Sequence, residues 1–423
     1  MFAHYFGKLS YRSMAVNFIQ QPDSIVSGFN EMNFVVSSNL STTAGFKFKS
    51  KLLDSVGATI AEFYHLKQPT YGNLLFDAHR TIENYLSYDI SNLIAGTTGW
   101  QKGVNVFKTF KLNVQEYVNN AGASALYASA VTTDIIAVNS SMDWQDWINF
   151  GLGGRSVGST TRKWMTNAPT RIKLRIGDSY ELGTLVVAPQ EVKYLQIETY
   201  DFTNTLVQTA TINNAYYTIP DDGSKFPSIT CGPVNLNAST LTTGSQPLIT
   251  SAIKYYRVAV FESGGGRSNE WKEFELDQEC LRESYNRLYF LNSLGRFDAF
   301  NFNQVNEDNI EVSKSNYDKL LGTLSLSGFT HSTYERSTSV FHSKIKQKYK
   351  LRSGFVDTAT ALWLKELIAS PIVYMIVPIN TGNTWVAVNI DETSYTSKKV
   401  ISDKLFNIEL TVSYSNDSQR QRL

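Results

Sequence analysis

Cysteine is almost missing from this sequence. Cys231 and Cys280 are the only two in 423 residues, too few for a disulfide framework and wrongly spaced for a zinc site. Both are expected as buried thiols. Histidine is scarce as well: His4, His65, His79, His331 and His342 contain no H-x-x-x-H pair and have no cysteine nearby. No metal site and no cofactor is therefore expected, and each histidine reads first as a hydrogen-bonded surface or core residue. Long apolar runs are absent too. The longest, 368–379, is broken by Pro371 and Pro378 and falls well short of the roughly 20 residues that cross a bilayer, so no membrane insertion is expected. His4, Lys8 and Arg12 fall where a signal peptide keeps an unbroken apolar core, which argues against secretion. By the same reasoning a sequon such as Asn39-Leu40-Ser41 carries no message. Neither sign of charge dominates: 39 Lys and Arg stand against 38 Asp and Glu, a net +1. That lacks the basic excess of a dedicated nucleic-acid binder, and any electrostatic function must be local. With 42% hydrophobic and only 18% charged residues, a disordered chain is excluded.

What is plentiful is aromatic. Phe, Tyr and Trp make up 13% of the chain, and such residues favour pleated, half-buried surfaces. Apolar and polar residues alternate with period two in many segments. Phe406, Ile408, Leu410, Val412 and Tyr414 oppose Asn407, Glu409, Thr411 and Ser413. Phe110, Leu112 and Val114 oppose Lys111, Asn113 and Gln115, and Ile172, Leu174 and Ile176 oppose Arg171, Lys173 and Arg175. These patterns predict antiparallel strands with one buried face. Gly264-Gly265-Gly266 predicts a hairpin joining 255–261 to 271–276. Helices are few and short: Asp77 is placed to cap one over 78–86, and Asp357 to cap another that Pro371 ends, with 372–377 following as a buried strand.

The fold class is therefore mainly β, with several antiparallel, immunoglobulin-like sandwiches and a few short helices. Four segments are expected: an N-terminal arm (1–15), a sandwich with a Gly-rich end loop (16–165), an immunoglobulin or fibronectin-like sandwich (166–280) and a C-terminal β-rich domain with one short helix (281–423). The Ser/Thr-rich stretch 237–251 reads as a long loop able to reach a neighbour.

No pattern demands catalysis. The passage Gly151-Leu152-Gly153-Gly154-Arg155-Ser156-Val157-Gly158 lacks the lysine of a phosphate-binding loop and does not follow a βα strand, so it reads as a flexible loop. Asp221 and Asp222 sit in a turn, while Glu273, Glu275 and Asp277 share a strand face; neither group reads as the desolvated carboxylate pair of a glycosidase. The segment Asp143, Trp144, Asp146 and Trp147 offers two indoles and two acids, a combination that stacks on a sugar ring and bonds its hydroxyls. Its plainer reading is core tryptophan. The strongest charge pattern is Lys344, Lys346, Lys348, Lys350 and Arg352, every second residue, which on a strand makes one cationic row. Such a row either guards a solvated edge strand against aggregation or docks on an acidic partner or on nucleic-acid phosphates.

Three segments carry a resemblance. They are Gln20-Gln21-Pro22-Asp23 through Phe34–Ser38 with Phe76-Asp77 and Ile82-Glu83-Asn84-Tyr85; Leu288-Tyr289-Phe290-Leu291-Asn292-Ser293-Leu294-Gly295-Arg296-Phe297-Asp298; and Trp363–Leu367 through Ser370-Pro371-Ile372-Val373-Tyr374 to Lys404-Leu405-Phe406. Together they resemble virion structural proteins of tailed bacteriophages that infect Bacteroidota, including crAss-like phages. The resemblance implies a tail or baseplate protein, located in the virion and assembled in the host cytoplasm. Its expected partners are its own copies in a symmetric ring and other tail or portal-proximal proteins, with contact to the genome DNA as an open option. Alternatives from other classes are a receptor- or glycan-binding tail fibre, for which Asp143–Trp147 supplies the site, a polysaccharide depolymerase, and a capsid decoration protein.

Overall fold

The computed structural model describes residues 16–120, 123–149, 151–187, 191–217, 221–279, 285–304, 307–379, 382–391 and 406–419. The 1–15 arm, Cys280, Lys404 and Leu405 lie outside the described residues. The chain is mainly β, built of antiparallel sheets with a few short helices. It divides into two compact units: Met1–Thr166, Ile176–Phe274 and Ser293–Arg296 form one, and Asn167–Arg175, Glu275–Asn292 and Phe297–Leu423 the other. The segment 16–165 and most of 166–280, namely Ile176–Phe274, fall in one unit, while 167–175 and 275–279 fall in the other. The reason is a short sheet in which Gly99–Gln101 pairs with Ser228–Thr230, itself paired with Glu181–Gly183. Beside it, Val106, Met142, Met165, Leu185 and Phe226 close one core drawn from both stretches.

The first unit opens with a sandwich. Val16–Gln20, Asn33–Ser38 and Leu74–Asp77 form a three-stranded sheet. Facing it is a sheet that includes Phe46–Asp54, Thr59–His65, Phe107–Asn120 and Ile135–Val138. Phe34, Val36 and Phe76 from one sheet meet Phe48, Leu52, Phe110, Leu112 and Val114 from the other in a single core, so the period-two alternation is the pattern of inward side chains. Truncating a side chain as fully enclosed as Phe48 is expected to cost about 3–5 kcal/mol. Further along, Ile253–Phe261 pairs with Tyr194–Asp201 and enters the expected hairpin to Lys272–Leu276. Tyr180, Tyr256 and Phe274, all fully buried, stack behind it, and Tyr256 donates its hydroxyl to the Cys231 carbonyl at 2.9 Å. Cys231 is buried as expected.

The second unit is one large antiparallel sheet with helices on one face. Asn286–Leu291, Val373–Ile379, Gly382–Ile390, Phe406–Tyr414, Thr338–Val356 and Glu307–Asp318 are neighbours in that order. Leu288, Phe290, Leu351, Met375, Ile408, Leu410 and Val412 pack from the sheet onto Trp363, Leu364 and Leu367. Asp357 caps this helical stretch, accepting from the Thr360 amide at 2.8 Å. The single helix expected there is two short ones, Thr358–Trp363 and Lys365–Ala369. In 372–377, Val373 and Met375 are buried and their neighbours partly exposed, so the strand read as buried throughout is half-buried.

Other expectations change in detail. Asp77 ends a strand and is not the cap residue of its helix, although its carboxylate accepts from the His79 amide at 3.1 Å and from the Met32 amide at 2.9 Å. Ile176 does not continue its alternation: the strand stops at Leu174, and Ile176 is exposed in the following turn. The Gly151–Gly158 passage is packed rather than loose, with Leu152 and Val157 buried and the Arg155 guanidinium donating to the Trp164 and Thr166 carbonyls. The 237–251 stretch is also pinned and does not reach outward: Asn237 exchanges hydrogen bonds with the Ile249 backbone, Gln246 donates to the Leu236 and Ser239 carbonyls, and Leu248 and Ile249 are enclosed.

Candidate functional site

The Asp143–Trp147 segment begins the short helix Trp144–Asn149. Spacing i, i+3 puts Trp144 and Trp147 on neighbouring positions of the helix surface, yet their burial differs. Trp144 is 67% exposed, whereas Trp147 packs against the core of Met142, Leu152 and Phe226. Asp143 and Asp146 are exposed, and neither sits in an apolar enclosure. The segment offers one accessible indole with flanking carboxylates. The other acids are engaged. Asp221 pairs with Lys102, and this hydrogen bond holds its carboxyl below the ordinary value. Asp222 accepts from Thr109 at 2.6 Å and from Lys225 at 2.7 Å. Asp277 meets Arg175 at 3.3 Å.

The cationic row lies where periodicity puts it, on one face of Thr338–Val356, but that strand is interior. Glu307–Asp318 pairs with it on one side, and Phe406–Tyr414 and Ser418–Gln419 on the other. Each cation has an acid from its own sheet. Lys344 meets Asp417 at 2.5 Å, Lys346 meets Asp391 at 3.8 Å, and Lys348 meets Glu311 at 2.8 Å and Asp391 at 3.4 Å. Lys350 meets Glu409 at 2.5 Å, and Arg352 bridges Glu307 and Glu409, each at 2.9 Å. Hydrogen bonds from Lys350 and Arg352 lower the Glu409 carboxyl, the bond from Lys348 lowers Glu311, and Glu311 raises Lys348 in return. The edge-guard reading is thereby corrected, because the edge belongs to Glu307–Asp318. A partner that docks on this row, such as Glu273, Glu275 and Asp277 of a neighbour or DNA, would have to compete with acids that already pair with these cations.

The feature that sequence reading passed over lies one strand away. Glu307–Asp318 is exposed along all its 12 residues. At about 3.4 Å per residue it spans roughly 40 Å. With the first part of Thr338–Val356 it makes an arm ending in the small hairpin Thr323–Ser325 and Gly328–Thr330. Pairing to Phe406–Tyr414 starts at Lys348 and pairing to Ser418–Gln419 at Lys344, so among the described residues the far part of the arm is a two-stranded ribbon. Ile310, Val312, Tyr317 and Phe341 are exposed on its strands, and Leu320, Leu321, Leu324, Leu326, Phe329 and Tyr334 at its tip. Leu320 and Leu324 are each 78% exposed. The sequence signal was present: 320–330 contains no charged residue and sets Leu324 and Leu326 among Thr323, Ser325 and Ser327. A hydropathy pattern alone does not reveal that the second face of such a strand meets nothing.

In the first unit, the outward face of the Tyr194–Asp201 and Ile253–Phe261 pair carries a second assembly of rings. Tyr200 stacks on Tyr255 at 4.7 Å, Arg257 lies 4.4 Å over the Trp271 ring, and Arg267 lies 5.5 Å from it. Burial would raise the Glu198 carboxyl, but hydrogen bonds from Tyr200 and Arg257 at 2.7 Å outweigh it and hold the group below its ordinary value. Tyr200 is pushed up to about 12 by burial and by this carboxylate. The ring faces are occupied by one another and by guanidinium groups, which makes a braced sheet surface and not an open stacking platform.

No family model matches the chain, and no curated protein matches it. Among solved structures it is similar to the native conformation of E. coli alpha-2-macroglobulin, with 8% identity, 94% of this chain and 20% of that chain covered, and a TM-score of 0.19. The chain thus spans about a fifth of that protein's length.

Proposed function

We propose that the chain is a non-enzymatic structural protein of a bacteriophage virion, a tail or baseplate component that assembles as a symmetric ring and connects other tail proteins. The observation that carries this reading is the arm. A slender β ribbon with leucines at its tip has no use in a solitary globular protein, since a two-stranded hairpin alone is marginal in water and its apolar residues need cover. An assembly component supplies that cover from its neighbours. The resemblance carried by Gln20–Ser38, Leu288–Asp298 and Trp363–Tyr374 points the same way and supports a place in the virion.

Electron microscopy of purified particles, with this chain tagged, tests the proposal. The expected result is symmetric density in the tail with several copies in contact. Absence from particles, or isolated copies scattered over the capsid, overturns it. The exposed Trp144 beside Asp143 favours a second reading, a glycan-binding fibre protein. Specific binding on a glycan array that Trp144→Ala abolishes would select it.

A further inference from the structure

Building on the ring reading above, we infer that neighbouring copies meet by apolar docking of arm on arm. The leucine tip of one copy packs on the face of the next copy's arm that carries Ile310 and Val312. The tip is suited to leave water. Its stretch 320–334 holds no Lys, Arg, Asp or Glu, and Leu320, Leu324, Leu326, Phe329 and Tyr334 are all exposed there. Among the leucines, the Ser325 hydroxyl lies 2.9 Å from that of Ser327 and donates to the Gly328 carbonyl at 3.0 Å. These hydroxyls keep their partners when the tip is covered, so its burial does not strand them.

The receiving face follows from register. Asp308, Ile310 and Val312 stand opposite Tyr349, Gln347 and Ile345, and residues directly opposite share a face. On that face Tyr349 and Leu351 pack into the core with Trp363 and Leu367. Ile310 and Val312 thus continue the core side of the sheet beyond its helices, and they are 59% and 47% exposed. The other face of the arm is taken by ion pairs such as Lys348 with Glu311 and Arg352 with Glu307. A partner that seeks apolar surface therefore meets the Ile310 and Val312 side.

No tip can cover its own strip. Val312 to Asp318 is about 20 Å of strand at 3.4 Å per residue, and pairing holds the ribbon extended along that length. A second copy supplies both missing surfaces at once, because each copy gives its tip to one neighbour and its strip to the other. Tip and strip differ, so the contact is heterologous and generates a ring when the rotation closes. Tip against tip is isologous, stops at two copies and leaves the strips bare. Charge agrees with such a partner: Asp308 and Lys314 bracket the strip, while Asp318, Lys319, Glu335 and Arg336 flank the tip, so both surfaces balance in sign. A lipid surface fits less well, since surface-bound elements hold anionic headgroups with a cationic excess.

The test uses the full-length protein with a photo-crosslinking phenylalanine analogue at Ser327, an exposed position beside Leu326. It is irradiated as purified protein over a concentration series and within particles. Covalent products of three or more copies are expected, with peptides joining residue 327 to 308–314. The tip change Leu324→Asp, Leu326→Asp and the strip change Ile310→Lys, Val312→Lys are each expected to remove the ladder while leaving the melting transition in place. Mixing the two variants, with the probe in the copy whose tip is intact, is expected to restore pairs and no longer products. Dimers that join 327 to 320–334, adducts to another protein or to lipid, or monomer under every condition overturn the proposal. The two readings fail separately. A ladder from purified protein with none of the chain in particles removes the tail assignment and keeps the contact, whereas a tail ring whose arms stand apart removes the contact and keeps the assignment.

Discussion

Two glycines with the same backbone conformation and different surroundings separate strain from packing. Gly295 has φ +80 and Gly265 has φ +79, a left-handed region where a Cβ costs roughly 1–2 kcal/mol. A Cβ on Gly265 would meet nothing within 4 Å, but on Gly295 it would lie 1.9 Å from the carbonyl oxygen of Asn139 and 2.9 Å from its carbon. Backbone cannot yield as a side chain tip can, so the Ser293–Arg296 turn has to shift. That turn is anchored on every side: Ser141 donates its amide to the Ser293 carbonyl at 2.8 Å, Leu294 is enclosed in the core, and Arg296 donates to the Phe226 carbonyl at 2.6 Å. Arg296 also lies 3.7 Å from Glu181 in a buried pair, where burial lowers the guanidinium and raises the carboxyl. Overpacking at such a place costs typically about 1–3 kcal/mol. Gly265→Ala is therefore expected to lose about 1–2 kcal/mol from strain alone, and Gly295→Ala about 2–5 kcal/mol from strain and displacement together. Urea unfolding of the full-length variants, followed by tryptophan fluorescence, measures the difference. Equal losses, within about 0.5 kcal/mol, would show that the turn is not held by the packing described.

Asp357→Ala is expected to destabilise the second unit by about 1 kcal/mol through loss of the helix cap, measured by chemical denaturation, with Asp357→Asn retaining most of it. Glu198 titrates below its ordinary value, so its contribution to stability is complete above the unfolded carboxyl value of about 4.3 and fades as pH falls through the folded value. Glu198→Gln is expected to lower stability at neutral pH and to flatten the acid limb of the stability curve; an unchanged acid limb would refute the role given to Arg257 and Tyr200. The carboxyls of Glu311 and Glu409 obey the same sign, so hydrogen exchange at the base of the arm is expected to quicken below about pH 4. Replacing Lys346 and Lys348 with Gln is expected to leave particle assembly intact. Loss of assembly would restore these lysines as a partner contact.

Much of the fold was legible because period two reports burial directly. Phe110, Leu112 and Val114 are enclosed as their spacing requires, and so are Ile408, Leu410 and Val412. Failures came where a local pattern lacked its three-dimensional complement. Ile176 continues the alternation of 171–175 in sequence, but the chain turns before it. Polar loops read as outreaching were pinned by single side chains, as Asn237 and Gln246 pin 237–251. Trp144 and Trp147 were equivalent as letters, yet Trp147 packs on the core and Trp144, at the first position of the helix, is left outside. The cationic row was placed correctly on one strand face, and only its counter-charges were invisible. Glu307, Glu311, Asp391, Glu409 and Asp417 are scattered over more than a hundred positions in sequence and converge only through strand order.

That convergence bears on how the arm works. If the cations of Lys344–Arg352 faced a partner, assembly would be governed by long-range attraction and would weaken with salt. Paired within their own sheet, they instead tie the long strand to its neighbours on both sides and fix the base from which the ribbon extends. Exposed ion pairs contribute little energy singly, and a connected network with short distances supplies geometry more than strength. An apolar tip held on such a base would meet a partner from a defined direction. Orientation settled in advance lowers the ordering cost that association has to overcome. Salt screens the ion pairs at the base of the arm and leaves its apolar tip unaffected, so raising the salt concentration should loosen the base first.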